Sequence, residues 1–143
     1  YGTGWERPTG YKKGTEEAIK KSYRGYIKDK LATLQNYKFS ICFENVIFGG
    51  LVSEKIIDSF FAGCVPVYLG APDVINYIPQ DTFIDFRKFA SYEDLYRHLQ
   101  GMKEEAYNKY VQNIKAFIYS KRYRLFTQEK FTKDIIDILE SYF

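Results

Sequence analysis

The sequence predicts an α/β fold, a Rossmann-like parallel sheet flanked by helices, on three observations. Residues 39–43 (FSICF) and Val65–Leu69 (VPVYL) are short apolar runs rich in β-branched and aromatic side chains, the composition of strands buried on both faces. Between them Ile56, Ile57, Phe60 and Phe61 recur one, three and four residues apart, one face of a helix. The two periodicities meet at Gly63 and Pro66: Gly63 suits a helix C-cap, where φ > 0 is needed, and Pro66 is tolerable only among a strand's first residues. Strand, helix and strand then form a right-handed crossover between parallel strands, both expected inside the sheet.

The other elements follow in order. Tyr1, Gly2, Thr3, Gly4 and Trp5 read as the end of a strand running into a glycine turn; a lone G-x-G does not make a dinucleotide fingerprint. From Thr15 the residues Ile19, Tyr23, Tyr26, Ile27, Leu31 and Leu34 are helically spaced, and Gly25 predicts two helical pieces. In the strand that follows, Phe39, Ile41 and Phe43 share one face, with Ser40 and Cys42 small enough for burial on the other. Residues 82–86 (TFIDF) are a short edge-strand candidate. Ser91 and Asp94 open a helix as a variant capping box, with Leu95 and Leu99 inward. Tyr107, Tyr110, Val111, Ile114 and Ile118 mark a further helix, and Thr127 caps a last one carrying Phe131, Ile135, Ile138 and Leu139.

With 143 residues the chain fits one domain, residues 1–143, ending in helices from about residue 103; a chain this long buries about 70% of its unfolded surface. Its opening on Tyr1, within an apparent element, predicts a longer native protein. A net charge of +3 accommodates an anionic ligand and makes no case for a nucleic-acid partner. No run of 18 or more apolar residues occurs. Cys42 and Cys64 sit in apolar runs, as reduced, buried thiols. His98 has no companion at metal-ligand spacing, so no metal is expected. The basic and aromatic residues 119–126 (YSKRYRLF) suit a helix end with cations near its C-terminal dipole; they also leave peripheral membrane contact open.

Ligands of open α/β sheets bind at the carboxyl ends of strands. The strand ending at Phe43 delivers Glu44 and Asn45 to that edge; the loop of residues 46–52 carries Gly49, Gly50, Leu51 and Val52; Ser53, Glu54 and Lys55 begin the helix. A helix N-terminus favours phosphate oxygens, Lys55 adds a cation, and Glu54 can accept two hydroxyls of a ribose. The alternative is plain helix chemistry: Ser53 as N-cap, Glu54 as a first-turn acid, Lys55 as a solvated charge.

These residues also carry a resemblance. The stretches YKFSICFENV, LVSEKIIDSFFAGCVPVYLG and YIPQDTFIDF resemble the α-1,3/1,4-fucosyltransferases of glycosyltransferase family 10. That family's pattern runs Y-K-F-x-x-x-F-E-N-S, D-Y-V-T-E-K, A-G-x-V-P-V-x-x-G and I-P-x-x-S-F-I-D. Tyr37, Lys38, Phe39, Phe43, Glu44, Asn45, Val52, Glu54, Lys55, Ala62, Gly63, Val65, Pro66, Val67, Gly70, Ile78, Pro79, Phe83, Ile84 and Asp85 match it. The resemblance covers roughly residues 1–102 and implies the C-terminal half of a two-domain GT-B enzyme. It implies GDP-fucose as donor, no required cofactor, a glycan acceptor and inversion at the anomeric carbon. The implied nucleotide-sugar-binding residues are Glu44, Asn45, Leu51, Val52, Ser53, Glu54 and Lys55: Lys55 at the diphosphate, Glu54 at the ribose, Asn45 against the nucleotide-sugar. The general base and a phosphate-binding arginine are expected in an N-terminal domain outside this chain, so no catalytic residue is assigned within it. Gly50 and Leu51 depart from the family's Asp-Tyr, and Ser53 replaces threonine. An inactive nucleotide-sugar or glycan-binding module, and a transferase using another nucleotide sugar, remain the alternatives.

Overall fold

The structure is a computed structural model that describes residues 14–142. Three parallel strands, β1 (Phe39–Phe43), β2 (Val65–Leu69) and β3 (Ile84–Asp85), lie in the order β1-β2-β3. Phe39 pairs with Val65 through Phe43 with Leu69, and Val67 and Tyr68 pair with Ile84 and Asp85. Helix α1 (Thr15–Ser22) and helix α2 (Lys30–Leu34) precede the sheet, separated across Gly25, whose φ is 85°. Helix α3 (Glu54–Ala62) makes the β1-to-β2 crossover. Helices α4 (Tyr92–Gly101), α5 (Glu104–Ile118) and α6 (Gln128–Glu140) follow β3.

The crossover has the predicted bounds, with Ser53 as N-cap and Gly63 as C-cap at φ 77°. Gly63 N–H donates to Phe60 O, and Cys64 N–H to Ser59 O, so the chain leaves the helix with its last carbonyls satisfied. Ile56, Ser59, Phe60 and Ala62 form the buried face. Burial of Ile56 and Phe60 stabilises the fold by roughly 1.5–3 kcal/mol each. Pro66 fits β2 for a geometric reason. Val65 N–H donates to Lys38 O on the β1 side, so position 66 would direct its N–H to the β3 side. There β3 pairs only with Val67 and Tyr68, and no ladder bond is lost.

The first strand expected at residues 1–5 lies outside the described residues. Among the described residues β1 pairs on one side only, so β2 alone is interior. The alternation expected of β1 is corrected at its centre. Cys42 is buried against α3, its thiol 3.0 Å from the Ser59 hydroxyl, but Ile41 is 59% exposed. Phe39 meets Tyr107 of α5 and Phe43 meets Phe86, so that face is covered at its two ends and open between them. The candidate strand at 82–86 shrinks to two residues. Gln80–Thr82 forms a 3-10 turn before it, and Asp85 caps the turn Phe86–Lys88 after it by accepting from Arg87 N–H.

Residues 119–126 are the 3-10 segment Lys121–Phe126 and its approach. Tyr123 and Phe126 pack on Phe117 of α5, so part of its aromatic content is core. Helix α6 is capped by Thr127, which accepts from Lys130 N–H. Phe131, Ile135, Ile138 and Leu139 are nonetheless 67%, 45%, 54% and 53% exposed. No helix among the described residues is long and apolar enough to cross a membrane. Both cysteines are free and buried, and burial pushes both thiols up from their usual range. His98 packs on the Phe89 ring.

Candidate functional site

The parallel sheet places the ends of β1, β2 and β3 on one edge. The chain continues the β1 ladder by one bond, Glu44 N–H to Leu69 O at 2.7 Å. This turns the Glu44 side chain back onto the start of α3. Its Oε1 accepts from Ser53 N–H at 2.8 Å, and the Ser53 hydroxyl reaches both carboxylate oxygens at 2.9 and 2.7 Å. The side chain is 3% exposed. Gly70 makes the room: a Cβ there would fall inside van der Waals contact of Glu44 Cγ and the Tyr68 hydroxyl. The Tyr68 hydroxyl in turn accepts from Ala71 N–H at 3.0 Å.

Lys55 lies on the first turn of α3 and folds back over the end of β1. Its ammonium donates to Phe43 O at 2.9 Å and to Asn45 Oδ1 at 3.1 Å, and stands 3.4 Å from Glu44 Oε2. Lysine has three N–H donors, so all three face protein oxygens. The third contact, at the long end for a hydrogen bond, is mainly electrostatic. The side chain is 30% exposed. The cation is therefore stored at the sheet edge and open to solvent on one side.

Glu54 precedes it, exposed and without a hydrogen bond or ion pair among the described residues. Asn45 is also exposed, with its amide oxygen on Lys55. Leu51 is 43% exposed, and Val52 is half-buried against the core. Among the seven expected residues the structure thus separates two groups. Asn45, Leu51, Glu54 and Lys55 present surface at the edge. Glu44, Ser53 and Val52 are turned into the fold that supports it.

Two acids and an arginine were not singled out in the sequence. Asp73, in the loop after β2, accepts from Gly50 N–H at 2.9 Å, where Gly50 has φ 77°; its carboxylate also lies beside Gly49. It anchors the tip of the 46–52 loop. Asp85, at the end of β3, makes a two-pronged pair with Arg87, Nε to Oδ1 and Nη2 to Oδ2, each at 2.8 Å. Burial alone would raise the Asp85 carboxyl, but the Arg87 contacts outweigh it and hold the carboxyl below its usual range. Arg87 Nη1 also reaches Pro72 O at 3.3 Å, tying the end of β3 to the loop that bears Asp73. The signal available for Asp73 and Arg87 was position at the carboxyl edge; Asp85 also closes the I-P-x-x-S-F-I-D match, where no site role was given to it. No group of three or more His, Cys, Asp or Glu that could hold a metal occurs among the described residues.

Residues 13–138 match the sequence model described as Glycosyltransferase family 10 (fucosyltransferase) C-term. The chain belongs to glycosyltransferase family 10. Among its relatives, the α-(1,3)-fucosyltransferase FucT of Helicobacter pylori is 34% identical over 105 residues, 66% of this chain and 22% of the relative. The mouse 4-galactosyl-N-acetylglucosaminide 3-alpha-L-fucosyltransferase 9 is 39% identical over 79 residues, 52% of this chain and 22% of the relative. A crystal structure of an α1,3-fucosyltransferase with GDP-fucose aligns with a TM-score of 0.55 at 31% identity, over 59% of this chain and 26% of that one. A second, with GDP, aligns equally well. The chain thus spans about a fifth of the length of these curated relatives.

Proposed function

We propose that this chain supplies the donor-binding site of a fucosyltransferase, which transfers L-fucose from GDP-fucose to a glycan hydroxyl with inversion. The observation that carries the reading is the pairing of Lys55 with the N-terminus of α3 at the carboxyl edge of the sheet, with the unpaired Glu54 one residue away. The helix start offers amide donors and the positive end of a dipole. Lys55 exchanges its contact to the exposed Asn45 for one to a phosphate oxygen. Glu54 accepts ribose hydroxyls.

In the transfer step, the acceptor hydroxyl oxygen forms a bond to fucose C1 as the bond from C1 to the β-phosphate oxygen breaks. The electron pair of the broken bond goes to the diphosphate. Lys55 and the helix start meet charge that grows there, the electrostatic term that counts most when donors are already in place. A general base takes the acceptor proton, and no residue of this chain is assigned that part. The relatives' names and the GDP-fucose and GDP bound in related structures support this reading.

Calorimetric titration with GDP, GDP-fucose and UDP tests it, run on the full-length protein that also carries the expected phosphate-binding arginine. The expected order is GDP and GDP-fucose binding well above UDP. Equal binding of UDP would overturn the assigned donor, and no binding of any of the three would overturn the site.

A further inference from the structure

The carboxylate of Glu44 is the most enclosed charged group at the site, and nothing about its contacts suits a ligand. Both oxygens are occupied by Ser53 and Lys55, and 3% of the side chain is exposed. Gly70 and Tyr68 close the space around its stem. What it does touch is the machinery of the proposed anion site: the N-cap residue of α3 through both amide and hydroxyl, and the ammonium of Lys55.

We propose that Glu44 is a positioning residue for the anion site, acting on bound diphosphate through Ser53 and Lys55 without touching it. The inference rests on the donor-site reading above. Its physical basis is the number of donors that converge on one carboxylate. Oε1 fixes the Ser53 amide, which sets where the helix begins. Oε2 takes the Ser53 hydroxyl and draws Lys55 over the end of β1. A lysine carries about 2 kcal/mol of side-chain rotamer entropy; holding it beside the edge before binding removes part of that cost from the binding step. Of the three contacts that Lys55 makes, the one to Asn45 is to an exposed side chain, so it is the one exchanged for a phosphate oxygen while the Glu44 contact holds the ammonium in place.

Glu44→Gln separates this role from a merely structural one. The glutamine oxygen can still accept from Ser53 N–H, preserving the helix start. Its amide nitrogen can donate to the Ser53 hydroxyl but faces the Lys55 ammonium, which has no acceptor, so the tether on Lys55 is lost. The test is a double-mutant cycle of Glu44→Gln with Lys55→Ala, read by calorimetric titration of the full-length protein with GDP and with inorganic pyrophosphate. Expected is a loss of about fivefold in affinity for both ligands in the otherwise native chain, and less than about twofold in the Lys55→Ala background. Hydrogen exchange at the Ser53 amide should stay slow in Glu44→Gln and become fast in Glu44→Ala.

Equal losses in both backgrounds would mean that Glu44 acts directly or through the fold at large, and would overturn the proposal. So would unchanged or tighter binding by Glu44→Gln. If pyrophosphate binds as tightly as GDP and the cycle still shows coupling, the nucleotide reading fails while the Glu44 role stands. If neither ligand binds the native chain, both fall together.

Discussion

Lys55→Ala is the substitution on which most depends, because it removes a cation that serves the fold and the proposed ligand at once. From sequence alone, a lysine at an exposed helix start should contribute within about 0.5 kcal/mol to stability. The structure changes that expectation. The ammonium satisfies Phe43 O and Asn45 Oδ1 and faces a carboxylate that is 3% exposed. Hydrogen bonds to charged groups are worth about 1.5–3 kcal/mol. Asn45 is solvent-exposed, so water replaces that bond, and the side chain's own 30% exposure discounts the electrostatic part further. A net loss of about 1 kcal/mol remains, which is a Tm drop of roughly 3–4 °C for a domain of this size. For GDP, one charge-assisted bond to phosphate sets an upper range of about 1.5–3 kcal/mol. Lys55 must give up an existing contact to make it, so the lower end applies: about tenfold in Kd at ~1.4 kcal/mol per decade. Glu54→Gln, on the same turn but without protein partners among the described residues, is the control. It should melt like the native chain and lose affinity only for the ribose-bearing ligand, not for pyrophosphate. Thermal melts and GDP titrations at fixed salt measure both quantities. A Lys55→Ala chain that binds GDP as the native chain does would refute the phosphate assignment. One that melts unchanged would refute the bonding deduced for the Lys55 ammonium.

Other expected outcomes follow from the same edge. Asp85 has a folded-state pKa held low by Arg87, so the pair's stability is fully present above the ordinary aspartate value near 3.9 and is lost as pH falls through the lower folded value. Asp85→Asn should remove that part of the acid transition in melts run from pH 6 to 2. Arg87→Ala strips the partner from a carboxylate that is 8% exposed and should cost about 2 kcal/mol at pH 7. That is less than a fully buried pair because the guanidinium is 37% exposed. Gly70→Ala should cost about 1–3 kcal/mol in chemical denaturation by overpacking against Tyr68 and Glu44, with GDP affinity reduced as well because Glu44 is displaced. The buried thiols of Cys42 and Cys64 should react with a thiol reagent only after denaturant is added, since burial raises both.

The fold was legible wherever a periodicity changed. The run through Gly63 and Pro66 marked the end of α3 and the start of β2 to the residue, because a left-handed cap and a missing N–H each tolerate few positions. Gly25 did fall between α1 and α2, but the break runs over residues 23–29, so Tyr23, Tyr26 and Ile27, expected at helical spacing, lie outside both helices. The strand at β1 was found, but not which of its side chains are covered. Period-2 alternation names two faces and is silent on what packs against them, so Ile41 could not be told from Phe39. The same limit applies to α6, whose apolar spacing is helical while Phe131 and Ile138 stay more than half exposed.

At the candidate site, the sequence by itself determined which chemical groups the end of β1 and the start of α3 bring to the carboxyl edge, because strand ends and helix starts are local features with local signals. It named Glu44, Asn45, Ser53, Glu54 and Lys55 together and could not divide them. Only the tertiary structure did so. Gly70 leaves just enough room for Glu44 to fold back, Ser53 and Lys55 fill its oxygens, and Asp73 reaches across from the next loop to hold Gly50. Those partners lie 9 to 26 residues apart in the chain, brought together by the pairing of β1 with β2. Whether a carboxylate faces a ligand or a backbone amide depends on what else occupies that space, and no single stretch of sequence contains it.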